Sequence, residues 1–142
     1  MTLPVPTERV FTFFSDVANL PRVEPPWLGF QIISPLPIVM QKGTIIEFKL
    51  RLLSLPVRWQ SLISQWDPPQ MFADEQLRGP FKTWVHIHRF QELTSGTLME
   101  DEVEYSLPFS RLGEMADPLI RRQITRIFRF RQQRIKSILV AS

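Results

Sequence analysis

The chain has 142 residues, 44% of them apolar, and no cysteine, which excludes disulfides, zinc–thiolate sites and cysteine nucleophiles. Its length suits one domain over 1–142 with a sizeable core. The net charge of +3 is unevenly spread: residues 117–142 hold seven cations against Asp117, a net +6, so the remaining 116 residues sum to −3.

Residues 1–11 lack the basic region and apolar run of a secretory signal, and no stretch is long and apolar enough to span a bilayer. A reducing cytoplasm is the expected compartment. Pro6-Thr7-Glu8-Arg9 leads into Val10, Phe11, Phe13 and Phe14, which predicts a short helix ending near Asp16. A second helical turn is expected over 17–20, before Pro21. Pro25-Pro26 breaks helix, a strand is expected over 28–33, and Pro35, Pro37 and Lys42-Gly43 mark a turn-rich loop. Residues 44–53 alternate, with Ile46, Phe48, Leu50 and Leu52 on one face and Glu47, Lys49 and Arg51 on the other. After Pro56 a strand over 57–66 carries Trp59 and Ile63, and Asp67-Pro68-Pro69 makes a turn.

Three more strands fill 72–107. In the last of them Glu100, Glu102 and Glu104 share a face, which marks it as turned to water, so Met99, Asp101, Val103 and Tyr105 face inward. Leu93-Thr94-Ser95-Gly96 suits a hairpin loop. That register sets Phe90 against Met99, His88 against Asp101, His86 against Val103 and Trp84 against Tyr105; a loop two residues longer would set His86 against Asp101 instead. Either way a histidine meets the inward aspartate. Upstream, Asp74 and Gln76 share a face with Phe72, separated from Trp84 by the turn Arg78-Gly79-Pro80-Phe81-Lys82. Strands joined by short turns predict an antiparallel meander.

Residues 108–113 end the sheet region. Asp117-Pro118 reads as a helix start, an N-cap aspartate followed by proline at the first helical position, and the helix is expected to run to about 140. Ile120, Ile124, Ile127, Ile135 and Ile138 form its apolar stripe with Phe128 and Leu139, leaving the arginines outward. One long amphipathic helix across an antiparallel sheet gives an α+β domain, and a strongly curved sheet would leave a ligand-sized space beneath the helix.

The order of elements and the run GPFKTWVHIHRF…GTLMEDEVEYSLPF resemble the START-related SRPBCC superfamily, also described as polyketide cyclase/dehydrase and lipid-transport-like. PTERVFTFFSDVANL, PPWLGFQII, KGTIIEFKL, WQSLISQWDPPQMFADEQ and IFRFRQQRI resemble an uncharacterised bacterial branch of it. The resemblance covers nearly the whole chain and implies a helix-grip fold, a curved antiparallel sheet wrapped around a long C-terminal helix. It also implies a cavity for a lipid, isoprenoid, polyketide or other apolar molecule. No catalytic signature is shared across the superfamily, so no catalytic residue carries over. Members usually begin with a strand before the first helix; here only residues 1–5 precede it, so that strand is either very short or missing.

These readings make the chain a binder of a small apolar or amphipathic ligand. Trp59, Trp84, Phe90 and Tyr105 would give apolar contact, and Asp74, Gln76, His86, His88 and Asp101 would orient a polar head. The same patch suits a cyclase, dehydratase or isomerase using a His–Asp pair as acid and base, and equally a hydrogen-bonded network that only fixes strand register. Two histidines and a carboxylate also suit a metal, but His-x-His on a strand is a weak signal and the chain has no third histidine. No metal and no cofactor are therefore expected. Trp27 is a candidate cavity lid, or a residue packed beside the first helix. Arg122, Arg126 and Arg129 would face an anionic partner such as a peripheral membrane surface, or simply water; nucleic acid is disfavoured, because the helix would cover the aromatic face of the sheet.

Overall fold

Alternating apolar and polar residues from 45 to 106 build five long strands joined by tight turns. The chain runs β1 (Thr2–Leu3), α1 (Thr7–Ser15), α2 (Leu20–Val23), β2 (Gln31–Ile32), β3 (Ile45–Leu52), β4 (Leu55–Asp67), β5 (Met71–Arg78), β6 (Thr83–Leu93), β7 (Gly96–Ser106) and α3 (Ser110–Val140) in the computed structural model, which describes residues 1–141. All seven strands form one antiparallel sheet in the order β1-β7-β6-β5-β4-β3-β2. The β6–β7 register is the expected one: Phe90 opposite Met99, His88 opposite Asp101, His86 opposite Val103 and Trp84 opposite Tyr105.

The sheet curves around α3 in the helix-grip arrangement. Two register shifts between β4 and β5, at Gln60/Ser61 and Ile63/Gln65, supply part of the bend, since an extra residue on one strand kinks it and increases its twist. The second shift also resets the phase of β4. Trp59, Ser61 and Ile63 face the helix before it, and Trp66 packs on Phe11 and Phe72 after it.

Three expectations need correction. The long helix begins at Ser110, and Pro118 lies inside it rather than at its first turn. Asp117 is not a cap: its carboxylate accepts from the Tyr105 hydroxyl at 2.7 Å and from Arg121 at 3.1 Å. Gly113 allows the earlier start, because a Cβ there would lie 2.4 Å from the Pro108 carbonyl oxygen. The strand expected over 28–33 shrinks to Gln31–Ile32, because Pro26–Leu28 form a 3-10 turn and Gly29 turns the chain with a left-handed φ of +56°. The helical turn expected to stop before Pro21 continues through it as α2, since proline is tolerated in a first turn.

The N-terminal strand is present and short. Thr2 and Leu3 pair with Leu98 and Thr97, covering the edge of β7. One end of the core gathers Leu3, Val10, Phe11, Phe90, Ile135 and Leu139; the other gathers Trp59, Phe81 and Ile120 against Trp84, Tyr105 and Ile124. Between these two packed ends the helix and the sheet stand apart.

Candidate functional site

The gap between the packed ends is a cavity of about 170 Å³. Sheet residues Phe48, Leu50, Trp59 and Trp84 form one wall, and Ile124 and Ile127 of α3 form the facing one. At its polar end the lining changes to Asp74, His86 and His88 from the sheet, with Arg131 and Glu24 from the helical side.

The four inward groups of the central strands form a closed cluster. His86 Nε2 lies 2.8 Å from Asp101 Oδ1, and His88 Nε2 lies 2.9 Å from Asp74 Oδ2. The imidazoles lie against each other at 3.7 Å between centroids, tilted by 31°, and His88 stacks on Phe72 at 4.0 Å. Both histidines are buried, at 6% and 5% exposure. The remaining approaches are longer, with His86 Nδ1 3.8 Å from Asp74 Oδ2 and His88 Nδ1 3.4 Å from Asp101 Oδ1. His88 Nδ1 is buried and makes no hydrogen bond.

Electrostatics sort the protonation states. Burial pushes the Asp74 carboxyl up, but the bond from His88 and the charges of His86, His88 and Arg131 outweigh it and hold Asp74 below the usual carboxylate range. Asp101 is also held below that range by the same balance, burial against the His86 bond and the charges of His88, His86 and Arg131. Burial, with the neighbouring His86, pushes His88 below its ordinary value despite the two aspartates. Ionised carboxylates only accept, so His86 Nε2 and His88 Nε2 donate.

Arg131 escaped the sequence reading, which turned every arginine of the helix outward. Its side chain is buried on the inner face of α3, where it pairs with the equally buried Glu24 of the loop after α2 and lies over the ring of Phe128. A signal existed: 120, 124, 127, 131 and 135 follow helical spacing, and position 131 lies on that stripe.

The other expected residues divide. Trp59 and Trp84 line the cavity. Phe90 instead packs in the core end with Phe11, Phe14 and Phe72. Tyr105 closes the opposite end against Phe81 and Trp84. Asp101 stands behind the histidines, off the cavity wall. Gln76 is taken up by the β5–β6 turn: its amide donates to the Phe81 carbonyl at 2.8 Å and accepts from the Phe81 N–H at 3.0 Å. Trp27 packs on α3, where its ring meets Phe130 at 5.4 Å and carries the Arg126 guanidinium at 4.1 Å. Arg122, Arg126 and Arg129 are exposed on the outer side of α3.

Residues 3–129 match the family model described as polyketide cyclase / dehydrase and lipid transport, and the chain belongs to that family. No curated protein matches it. Among solved structures it is similar to TTHA0849 from Thermus thermophilus, with 16% identity, a TM-score of 0.79 and coverage of 99% of this chain and 94% of that one. It is also similar to Ms6760 from Mycobacterium smegmatis, at 15% identity, TM-score 0.72 and coverage of 99% and 88%. CV1439 from Chromobacterium violaceum follows at 12% identity, TM-score 0.71 and coverage of 98% and 92%. At such identities the likeness shows the fold.

Proposed function

We propose that the protein holds one small apolar or amphipathic molecule, of lipid, isoprenoid or polyketide type, between α3 and the sheet. The observation behind this reading is the cavity itself: about 170 Å³ of space with mostly apolar walls and a charged patch at Asp74, His86, His88, Glu24 and Arg131. For comparison, an apolar protein cavity of about 150 Å³ accepts benzene. A ligand with an apolar body and one polar group matches that division, its body against Trp59, Trp84 and Ile127 and its polar group toward Asp74, His86 and His88.

Native mass spectrometry of the purified protein tests this, together with fluorescence titration by apolar probes. A co-purifying apolar molecule, or saturable quenching that falls when Trp59 or Trp84 is changed to Phe, is the expected result. Absence of both for isoprenoid, fatty alcohol and polyphenol probes would sink the reading. An acid–base enzyme is the second reading, supported by two imidazoles each oriented by a carboxylate. Recovery of a bound molecule chemically changed would favour it over simple binding.

A peripheral anionic surface is a further partner consistent with the outer side of α3. Phe109, Leu112 and Met115, at the start of α3, are 80%, 70% and 78% exposed, and Arg122, Arg126 and Arg129 are exposed further along it. An apolar strip followed by arginines suits an interfacial helix. Sedimentation with phosphatidylglycerol vesicles at low salt checks it: binding lost in the triple Arg→Gln variant supports the contact, and no binding returns those arginines to a solvated face.

A further inference from the structure

Two carboxylates and two buried imidazoles cluster at one end of the cavity, with Asp101 behind its wall, and their bonding is unbalanced. The nearby cation, Arg131, is already matched by Glu24. Asp74 and Asp101 add two carboxylates beside it, each met by one imidazole hydrogen bond, so three carboxylates share the single guanidinium charge. His88 Nδ1 is the second irregularity: it is buried, has no partner, and faces the acceptor Asp101 Oδ1 at 3.4 Å. With Nε2 donating to Asp74, Nδ1 of a neutral ring is itself an acceptor, so two acceptors confront each other.

We infer that Asp74, His86 and His88 bind one divalent first-row transition cation, of which Zn²⁺ is the natural probe, with Asp101 positioning both imidazoles from behind. One ligand atom from each of the three residues lies within 4.8 Å of the others. On the Asp74 side, Oδ2 is 2.9 Å from His88 Nε2 and 3.8 Å from His86 Nδ1. Ligand atoms of a tetrahedral zinc stand about 3.3 Å apart when the bonds are near 2.0–2.1 Å, so the two observed spacings bracket the required one. Two nitrogens and one carboxylate oxygen favour zinc and its neighbours over magnesium or calcium, which take oxygen ligands.

The ion removes both irregularities. Metal bound at His88 Nε2 moves the ring proton to Nδ1, which then donates toward Asp101 Oδ1 instead of opposing it. His86 keeps its Nε2–H on Asp101 and offers Nδ1 to the metal. One carboxylate thus orients both histidine ligands, the carboxylate–histidine–metal arrangement that fixes tautomer and raises ligand basicity. The two positive charges balance Asp74 and Asp101. All three ligand residues line the cavity, so the remaining coordination position opens to it. This site shares Asp74, His86 and His88 with the apolar-ligand reading but needs no organic molecule.

The chain has only two histidines, so imidazole spectra report on this site alone. The wild-type protein, stripped with chelator, is titrated with Zn²⁺ alone while heat and long-range ¹⁵N–¹H imidazole correlations are followed. One ion per chain should bind, and the His88 proton should move from Nε2 to Nδ1. Asp74→Asn should weaken uptake about tenfold or more, and Asp101→Asn by about 10–100-fold. No uptake, or uptake that leaves the imidazole signals unchanged, overturns the inference even if the variants fail to fold, because both readings use the wild type. Zinc uptake and apolar-probe binding are separate measurements, so either can fail alone.

Discussion

His86 bonds Asp101 across a diagonal: the strand register sets His86 opposite Asp74 on β5 and Val103 on β7, yet its Nε2 reaches Asp101 at 2.8 Å. His88 does the converse. Its β7 partner by register is Asp101, and its bond goes to Asp74 on the other neighbouring strand. The two side chains therefore cross, one leaning to each side, and the close, tilted ring contact follows from that crossing.

Crossed bonding predicts crossed energetics. In double-mutant cycles, His86 with Asp101 should couple by about 0.5–3 kcal/mol and exceed His88 with Asp101, although register opposes the latter pair. Asp101→Ala alone leaves a buried N–H of His86 unmet and should cost about 1–3 kcal/mol. A larger coupling for His88 with Asp101 would contradict the diagonal geometry.

The cluster also predicts acid sensitivity, measured with chelator present. His88 is held below its ordinary value of 6.5, so in that window the unfolded chain binds more protons than the folded one. Stability should then be full above 6.5 and fall as pH drops below it. Asp74 and Asp101 are held below 3.8, so their contribution is present above 3.8 and is lost as pH falls further. Both effects have the same sign. Urea midpoints at pH 7.5, 5.5 and 4 give the check, and His88→Gln should flatten the first decline. A midpoint constant from pH 7.5 to 5.5 would count against the depressed imidazole.

How much of this was legible in the sequence depends on how local the signal is. The glutamates at 100, 102 and 104 set the phase of β7, and the Thr94-Ser95 turn transferred it to His86 and His88, because side chains alternate strictly along paired strands. Gln76 sits in the same phase but was lost to the site, since its amide bonds Phe81 in the β5–β6 turn. The helix start was misplaced for a related reason: Asp117-Pro118 has the composition of a cap, while tertiary bonds to Tyr105 and Arg121 use that aspartate differently. Arg131 shows the opposite failure. Its position lies on the apolar stripe, yet a guanidinium is normally solvated, and the partner that lets it turn inward, Glu24, lies 107 residues away, beyond any local pattern.

The stripe of α3 is unevenly buried, which separates its positions energetically. Ile135, at 1% exposure, lies in the packed end and should cost about 2–5 kcal/mol when changed to Ala. Ile124 and Ile127 border the cavity and are less buried, so truncation there enlarges existing space and should cost clearly less than at Ile135. Thermal or urea denaturation of the three variants decides it; equal losses at 127 and 135 would argue against a gap under the middle of the helix.

The Glu24–Arg131 pair ties the segment after α2 to α3, and Arg134 Nε adds a bond to the Arg22 carbonyl at 2.9 Å. Both members of the pair are largely buried, so removing one leaves the other's charge poorly solvated and without its partner. Glu24→Gln or Arg131→Met alone should cost about 3–5 kcal/mol, whereas the double variant should return near wild-type stability because neither charge is then buried. The double variant also removes the salt bridge from the cavity wall, leaving the cluster at 74, 86, 88 and 101 as the charged part of its polar end. Apolar-probe affinity should therefore hold or rise in that variant. Stability as low in the double variant as in either single one would show that the pair contributes packing, not compensated charge.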